Sequence, residues 1–362
     1  MLMIDEIFDR EKEAVDDHLI YFFERLHEEE KDLLFNDFID QLEEFIIPED
    51  SKAKRIHPIL LIMAFSGIIN PIYLEDQIDE IRRVSIAVEL LHSGHLIHDD
   101  LIDDDRKRRG NLTFHVQLRE ELRDLYKDLD VSKGEKIVNN YGRDMSILGG
   151  SLGYLLGFDI LKNSNFPEKL KLNALNEYTE AMNFLMKGQI LEEYMEYHNL
   201  TMSMEQYLDI AELQRARVFE KSTKIGAILA KGNEHYQIKP LSDAILRIGQ
   251  AYAIRDDILD LKKDIEGKKK KFIYILAVQN TTEDQSRTLN ELYNKPGKLT
   301  NKEINKIEQI FAETNSIIIA EHFSKNLVEQ AKSYLKDIYP DLNKKEKSFF
   351  NEFSDYIYMR EF

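Results

Sequence analysis

The sequence predicts an all-α fold. Only 15 Gly and 7 Pro punctuate the 362 residues, and the stretches between them carry apolar residues at three- and four-residue spacing with charges opposite, the pattern of long amphipathic helices. Hydrophobic residues make up 43% of the chain, enough to bury a large core. No repeat period or low-complexity linker divides it, so a single domain over residues 1–362 is expected.

Taken in order, helical patterns cover residues 4–26, 31–47, 58–68 and 74–103, each bounded by charged or Pro/Gly/Asn-containing joints. Residues 116–140 are charge-dense and poor in apolar side chains, and read as an insertion of solvated helix and loop. Helical patterns resume at 144–161, 167–198, 203–232, 240–263 and 272–278, with shorter ones to 362. Gly149, Gly153 and Gly157 recur every four residues, where missing side chains let a neighbouring helix come close. The most apolar stretch, 56–74, is interrupted by His57, Pro58, Asn70 and Pro71, so it reads as a buried helix and a turn, with no transmembrane segment.

Composition excludes several function classes. Lys and Arg number 49 against 67 Asp and Glu, a net charge of −18, a balance that argues against the basic stripe a nucleic-acid partner needs. The absence of Cys rules out disulfides, thiolate catalysis and Cys-ligated zinc, and suits a reducing compartment. The first residues turn acidic without a basic and then apolar leader, so a cytoplasmic protein is expected.

The chemistry concentrates in two places. His98-Asp99-Asp100-Leu101-Ile102-Asp103-Asp104-Asp105 ends a strongly apolar helix, and Asp99 and Asp103, four apart, share one face. Like charges at that spacing oppose each other, so a cation is expected beside them. The same face continues back through His95 and His92. Asp256-Asp257-Ile258-Leu259-Asp260 repeats the pattern in a second apolar helix. All-oxygen clusters suit Mg2+, which takes one or two carboxylates and completes its octahedron with water and phosphate, so the pair of motifs implies a diphosphate substrate held between them. Zinc on His92, His95 and Asp99 is the competing metal assignment, but it leaves the paired motifs unexplained.

Two basic runs accompany these acids. Arg106-Lys107-Arg108-Arg109-Gly110 follows the first motif, offering guanidinium forks for phosphate and a Gly that permits left-handed backbone. Lys52-Ala53-Lys54-Arg55-Ile56-His57-Pro58 lies at a helix start and is a candidate for a second diphosphate.

With these residues in view, the sequence resembles the trans-isoprenyl diphosphate synthases, the family of farnesyl and geranylgeranyl diphosphate synthases. The segment LLHSGHLIHDDLIDDDRKRRGNLTFH is similar to the family's first Asp-rich motif with its Arg-Arg-Gly, and IGQAYAIRDDILD to its second. Weaker similarities are KRIHP, Lys187-Gly188-Gln189 and Ile225-Gly226-Ala227. The resemblance implies a helical bundle around a central cavity, with magnesium held by Asp99, Asp103 and Asp256 and supported by Asp100, Asp257 and Asp260. It implies the allylic diphosphate on Arg108 and isopentenyl diphosphate on Lys54, His92 and Arg109, with His57, Gln189 and Arg215 as further substrate-binding candidates. The implied reaction is head-to-tail condensation without a protein nucleophile, and the implied assembly a homodimer or a heteromer with a paralogue.

The chain departs from the family pattern at four places. His57 stands for an Arg, Gln214-Arg215 for a Lys-Thr pair, Ala253 for a Gln, and the loop after the second motif is short, leaving Lys262, Lys263 and the run 268–271 to supply its charge. Arg215 or Arg217 is the candidate replacement for the lost Lys. In such enzymes the residues just before the first motif floor the product tunnel. Gly94 is expected to leave room beside Leu91 and His95, pointing to geranylgeranyl diphosphate (C20) as product. A weakly active or non-catalytic partner subunit is the alternative that the altered positions suggest; a terpene cyclase is disfavoured by the Arg108-Arg109-Gly110, Lys54 and His92 set.

Overall fold

The computed structural model describes residues 3–48, 53–123, 126 and 131–360. The chain divides into two compact units, Met1–Thr179 with Ile225–Lys231, and Glu180–Lys224 with Gly232–Phe362.

In the first unit, α1 (Met3–Glu29) leads through a short turn into α2 (Leu33–Ile46), whose N-terminus Asp32 caps by accepting from the amides of Leu34 and Phe35. The apolar run forms α3 (Ile56–Ile68), buried along nearly its whole length. Its start is fixed by Arg55, left-handed at φ 51 and buried, which donates to Asp16, Glu89 and the carbonyl of Ile46. A guanidinium so enclosed needs this full set of acceptors, since an unpaired buried charge is prohibitively costly.

Helix α4 (Leu74–Ile102) is the unit's central rod, with Ile81, Val84, Leu90, Leu91 and Ile97 all buried. It is followed by α5 (Phe114–Arg123), α6 (Val131–Lys162) and the start of α7 (Glu168–Tyr197). The glycine face of α6 works as its spacing predicts. A Cβ on Gly153 would lie 3.1 Å from the Leu90 carbonyl oxygen of α4, and one on Gly157 would lie 2.5 Å from that of Ala87. Residues 124, 125 and 127–130 of the expected insertion lie outside the described residues. In the described flanks Val116, Leu118 and Val138 are buried and belong to the core, while Glu120, Glu121, Lys133 and Lys136 are exposed.

In the second unit, α8 (Met204–Ala211) begins with a capping box on Ser203 and Gln206 and runs through a π-helical segment, Glu212–Ala216, into α9 (Arg217–Leu229), whose residues from Ile225 onward belong to the first unit. Helix α10 (Lys239–Leu259) is the central rod here, buried from Pro240 to Asp257 on all but one edge, and Gly249 lets it approach Ala216 of the π segment. Helices α11 (Leu261–Glu266), α12 (Phe272–Asn280), α13 (Glu283–Tyr293), α14 (Asn301–Glu313), α15 (Ser316–Lys336) and α16 (Lys344–Met359) complete it. Phe349, Phe350 and Phe353 of α16 are fully buried. Among the described residues no helix is long and apolar enough to cross a membrane.

Candidate active site

The first motif closes α4. Asp99 sits at the rim with its side chain 30% exposed, whereas Asp100 is 1% exposed. Beyond Asp103 the chain makes a two-residue hairpin, Lys107–Arg108 against Asn111–Leu112, turned by Arg109 at φ 54 and Gly110 at φ 97. The double left-handed turn is the geometry that tight hairpins favour. It folds the basic run back onto the acids: Arg108 Nε donates to both oxygens of Asp100 at 2.9 Å, and its Nη2 lies 3.1 Å from Asp99 Oδ2. Burial pushes the Asp100 carboxyl up and Arg108 opposes the shift. The Asp100 oxygens are enclosed and pair with Arg108.

Behind the motif lies an imidazole cluster. The rings of His57 on α3 and His92 on α4 are 4.3 Å apart, and His95 is buried beside them. Burial brings His57 down to about 4, with Glu89 opposing and Arg109 and His95 assisting. His92 is held well below its ordinary value by burial and then by His57, Arg109, His95 and Arg108. In His57 and His92 both shifts favour the uncharged ring, which keeps one N–H donor. Lys54 is half-buried; Lys52 lies outside the described residues, and Arg55 is engaged inside the fold, so the early basic run is narrower than its sequence suggests.

The chain-length expectation at Gly94 is corrected. A Cβ there would lie 2.6 Å from the carbonyl oxygen of Gly150, so the missing side chain serves α4–α6 packing and leaves no room for product. Leu91 is fully buried and His95 is 8% exposed. Tyr154, unmarked in the sequence, is buried on α6, packs edge-on against His98, and has its hydroxyl pushed up by burial and by Asp99.

The second motif is built likewise. Asp257 is buried and accepts from the Tyr207 hydroxyl at 2.5 Å and the Phe272 amide at 3.0 Å, so it joins α10 to α8 and α12. Asp256 is one-quarter exposed, with Arg360 donating to Oδ1 and Arg215 Nε 3.7 Å from Oδ2. Asp260 ends α10, exposed. Arg215 projects from the π segment, a distortion frequent at functional sites. Arg217 is instead drawn to Glu212 at 2.6 Å.

Gln189 is buried in a network: Gln214 donates to it at 3.2 Å and to Glu192 at 2.7 Å. Glu192 is brought to about 2 because Lys271, Gln214 and Arg215 outweigh its burial. Of the lysine run, Lys271 turns inward, 2.9 Å from Glu192, while Lys268 bonds the carbonyls of Lys295 and Gly297 and Lys270 bonds Asn199. Tyr207, Glu192 and Arg360 had no motif to mark them; only the position of Glu192, three residues after Gln189, hinted at a role.

Each unit by itself offers oxygen donors of the kind that suit a divalent cation. Asp99, Asp103, Asp256 and Asp260 offer oxygen alone from rim or exposed positions, and an ion that takes one or two carboxylates does not need three converging ones. Among the described residues His92, His95 and Asp99 do not form a group with ligand atoms mutually within 4.8 Å.

A model of the polyprenyl synthetase family matches residues 47–314. The short chain isoprenyl diphosphate synthase of Methanocaldococcus jannaschii is 32% identical over 251 residues, covering 66% of this chain and 67% of that protein. A geranylgeranyl diphosphate synthase of Methanosarcina mazei is 25% identical over 321 residues, covering 86% and 87%. The crystal structure of geranylgeranyl pyrophosphate synthase from Corynebacterium glutamicum, complexed with isoprenyl diphosphate and magnesium, superposes with a TM-score of 0.84 at 20% identity over 98% of this chain and 99% of that one, and so shares the fold.

Proposed function

This chain belongs to the polyprenyl synthetase family, and from that premise we propose that it condenses isopentenyl diphosphate head-to-tail with an allylic diphosphate to make geranylgeranyl diphosphate. The observation that carries the reading is the set at the end of α4, where the Asp99 carboxylate, the guanidinium groups of Arg108 and Arg109 and the neutral rings of His57 and His92 adjoin. Cation-binding oxygens and diphosphate-binding nitrogens are thus supplied side by side. The match to residues 47–314 takes in parts of both compact units and supports one synthase domain.

In this reading Asp99 and Asp103, and Asp256 with Asp260, hold magnesium, which when bound supplies the Lewis-acid charge that stabilises departing pyrophosphate. Arg108, kept in place by Asp100, presents its remaining N–H groups to the allylic diphosphate. Arg109 and Lys54 neutralise the isopentenyl diphosphate, while His57 and His92 donate hydrogen bonds without adding charge. Gln189 acts through Gln214, fixing the π segment that carries Arg215 beside Asp256. No side chain need form a covalent bond to substrate, because fixed charges aimed at the leaving group supply the electrostatic stabilisation.

The C20 product is supported by the geranylgeranyl diphosphate synthases among the similar sequences. A homodimer acting in the cytosol completes the proposal. Mass spectrometry of products formed with magnesium, isopentenyl diphosphate and each of dimethylallyl, geranyl and farnesyl diphosphate tests it. A C20 diphosphate is expected, and a different chain length overturns the product assignment alone.

A further inference from the structure

A cluster on α1 and α2, apart from both Asp-rich motifs, has the make-up of a metal centre. His27 Nε2 lies 3.2 Å from Asp40 Oδ1 and 3.4 Å from Glu43 Oε2. The three residues each offer a ligand atom within 4.8 Å of the others, the one such group of His and carboxylates among the described residues. Asp40 and Glu43 are three apart on α2 and so present to the same side.

The ring's orientation is fixed from behind. Asn36 Nδ2 donates to the Glu30 carbonyl at 3.2 Å, which turns Asn36 Oδ1 toward His27 Nδ1 at 3.0 Å. An amide oxygen requires an N–H there, so in the neutral ring Nε2 carries the lone pair, directed at two anionic oxygens. That is the arrangement in which metal-ligating imidazoles are held, the far nitrogen donating to an oxygen and the near one left for the ion.

The spacing agrees. Ligands about 2.0–2.1 Å from a tetrahedral ion lie about 3.3 Å apart. Glu24, one turn before His27, adds a further negative charge acting on Glu43. A proton on His27 neutralises one of these acids, whereas a divalent ion neutralises two. One imidazole with two carboxylates suits a borderline cation better than magnesium, whose preference is for oxygen alone.

We propose that His27, Asp40 and Glu43 bind a zinc-type divalent cation, with water as its fourth ligand, pinning α1 to α2. The half-exposed position, with the Asp40 side chain 68% open to solvent, leaves space for that water. The role is structural, independent of the condensation chemistry.

The test is titration of the full, chelator-stripped chain with Co2+, followed by visible absorption, then with Zn2+. A four-coordinate cobalt ion absorbs visible light far more strongly than a six-coordinate one on the Asp-rich oxygens. The expected result is one equivalent of intense absorption that Zn2+ displaces, retained in Asp99→Ala and lost in His27→Gln and in Asp40→Asn. Asp40 is exposed, so its variant folds, and circular dichroism checks this. Asn36→Leu should weaken binding roughly 10- to 100-fold. No intense absorption in the wild type, or its survival in His27→Gln, overturns the proposal and leaves a hydrogen-bonded imidazolium.

Discussion

Arg108 Nη2 lies 2.6 Å from Asp100 Oδ1 and 3.1 Å from Asp99 Oδ2, so one guanidinium ties together an enclosed carboxylate and a rim carboxylate of the same motif. Two neighbouring acids therefore have different roles. Asp99→Ala should lower turnover on the order of 10²-fold or more while leaving the urea midpoint nearly unchanged. Asp100→Ala should instead cost about 2–3 kcal/mol of stability, since it strips the acceptor from a charged donor. Equal effects of both changes on the urea midpoint would contradict the division.

Arg360 donates to the Asp256 carboxylate while its guanidinium stacks 3.8 Å over the Tyr252 ring. Arg360→Gln should let a divalent ion reach Asp256 more easily. The magnesium concentration for half-maximal activity should fall roughly two- to fivefold, equivalent to about 0.5–1 kcal/mol. An unchanged or higher requirement would show that Arg360 is no competitor.

The buried imidazoles set an acid limit. Folding lowers His57 from 6.5 to about 4, so its contribution to stability is complete above pH 6.5 and is lost as pH falls through that window toward 4; His92 acts in the same direction. Urea melts should show a loss on the order of 1–3 kcal/mol across that range that is shallower in His57→Gln. A wild-type profile flat between pH 6.5 and 4 would refute it.

Gly94 separates packing from product length. Gly94→Ala forces a methyl group against the Gly150 carbonyl oxygen and should destabilise by about 2 kcal/mol or more, with the products of the folded fraction unchanged in length. A stable variant making a shorter product would restore Gly94 to the tunnel.

The helices and both acidic motifs were legible because long-range packing only reinforces what three- and four-residue periodicity already specifies. The same periodicity separates the acids on reflection: Asp100 falls three residues after buried Ile97, and Asp257 three after buried Ile254. Other features were not local. Two-residue strands carry no pattern, so the return of Arg108 onto Asp100 is visible only in three dimensions. Gly94 reads as empty space until Gly150 is found in it, and nothing around Arg360 announces Asp256, 104 residues away.

The most direct test of the central claim is incorporation of labelled isopentenyl diphosphate by the wild-type chain given farnesyl diphosphate, measured with magnesium and again after addition of a chelator. The account predicts labelled C20 diphosphate with magnesium and none with the chelator. No product under either condition from a folded protein, or equal product under both, would contradict it.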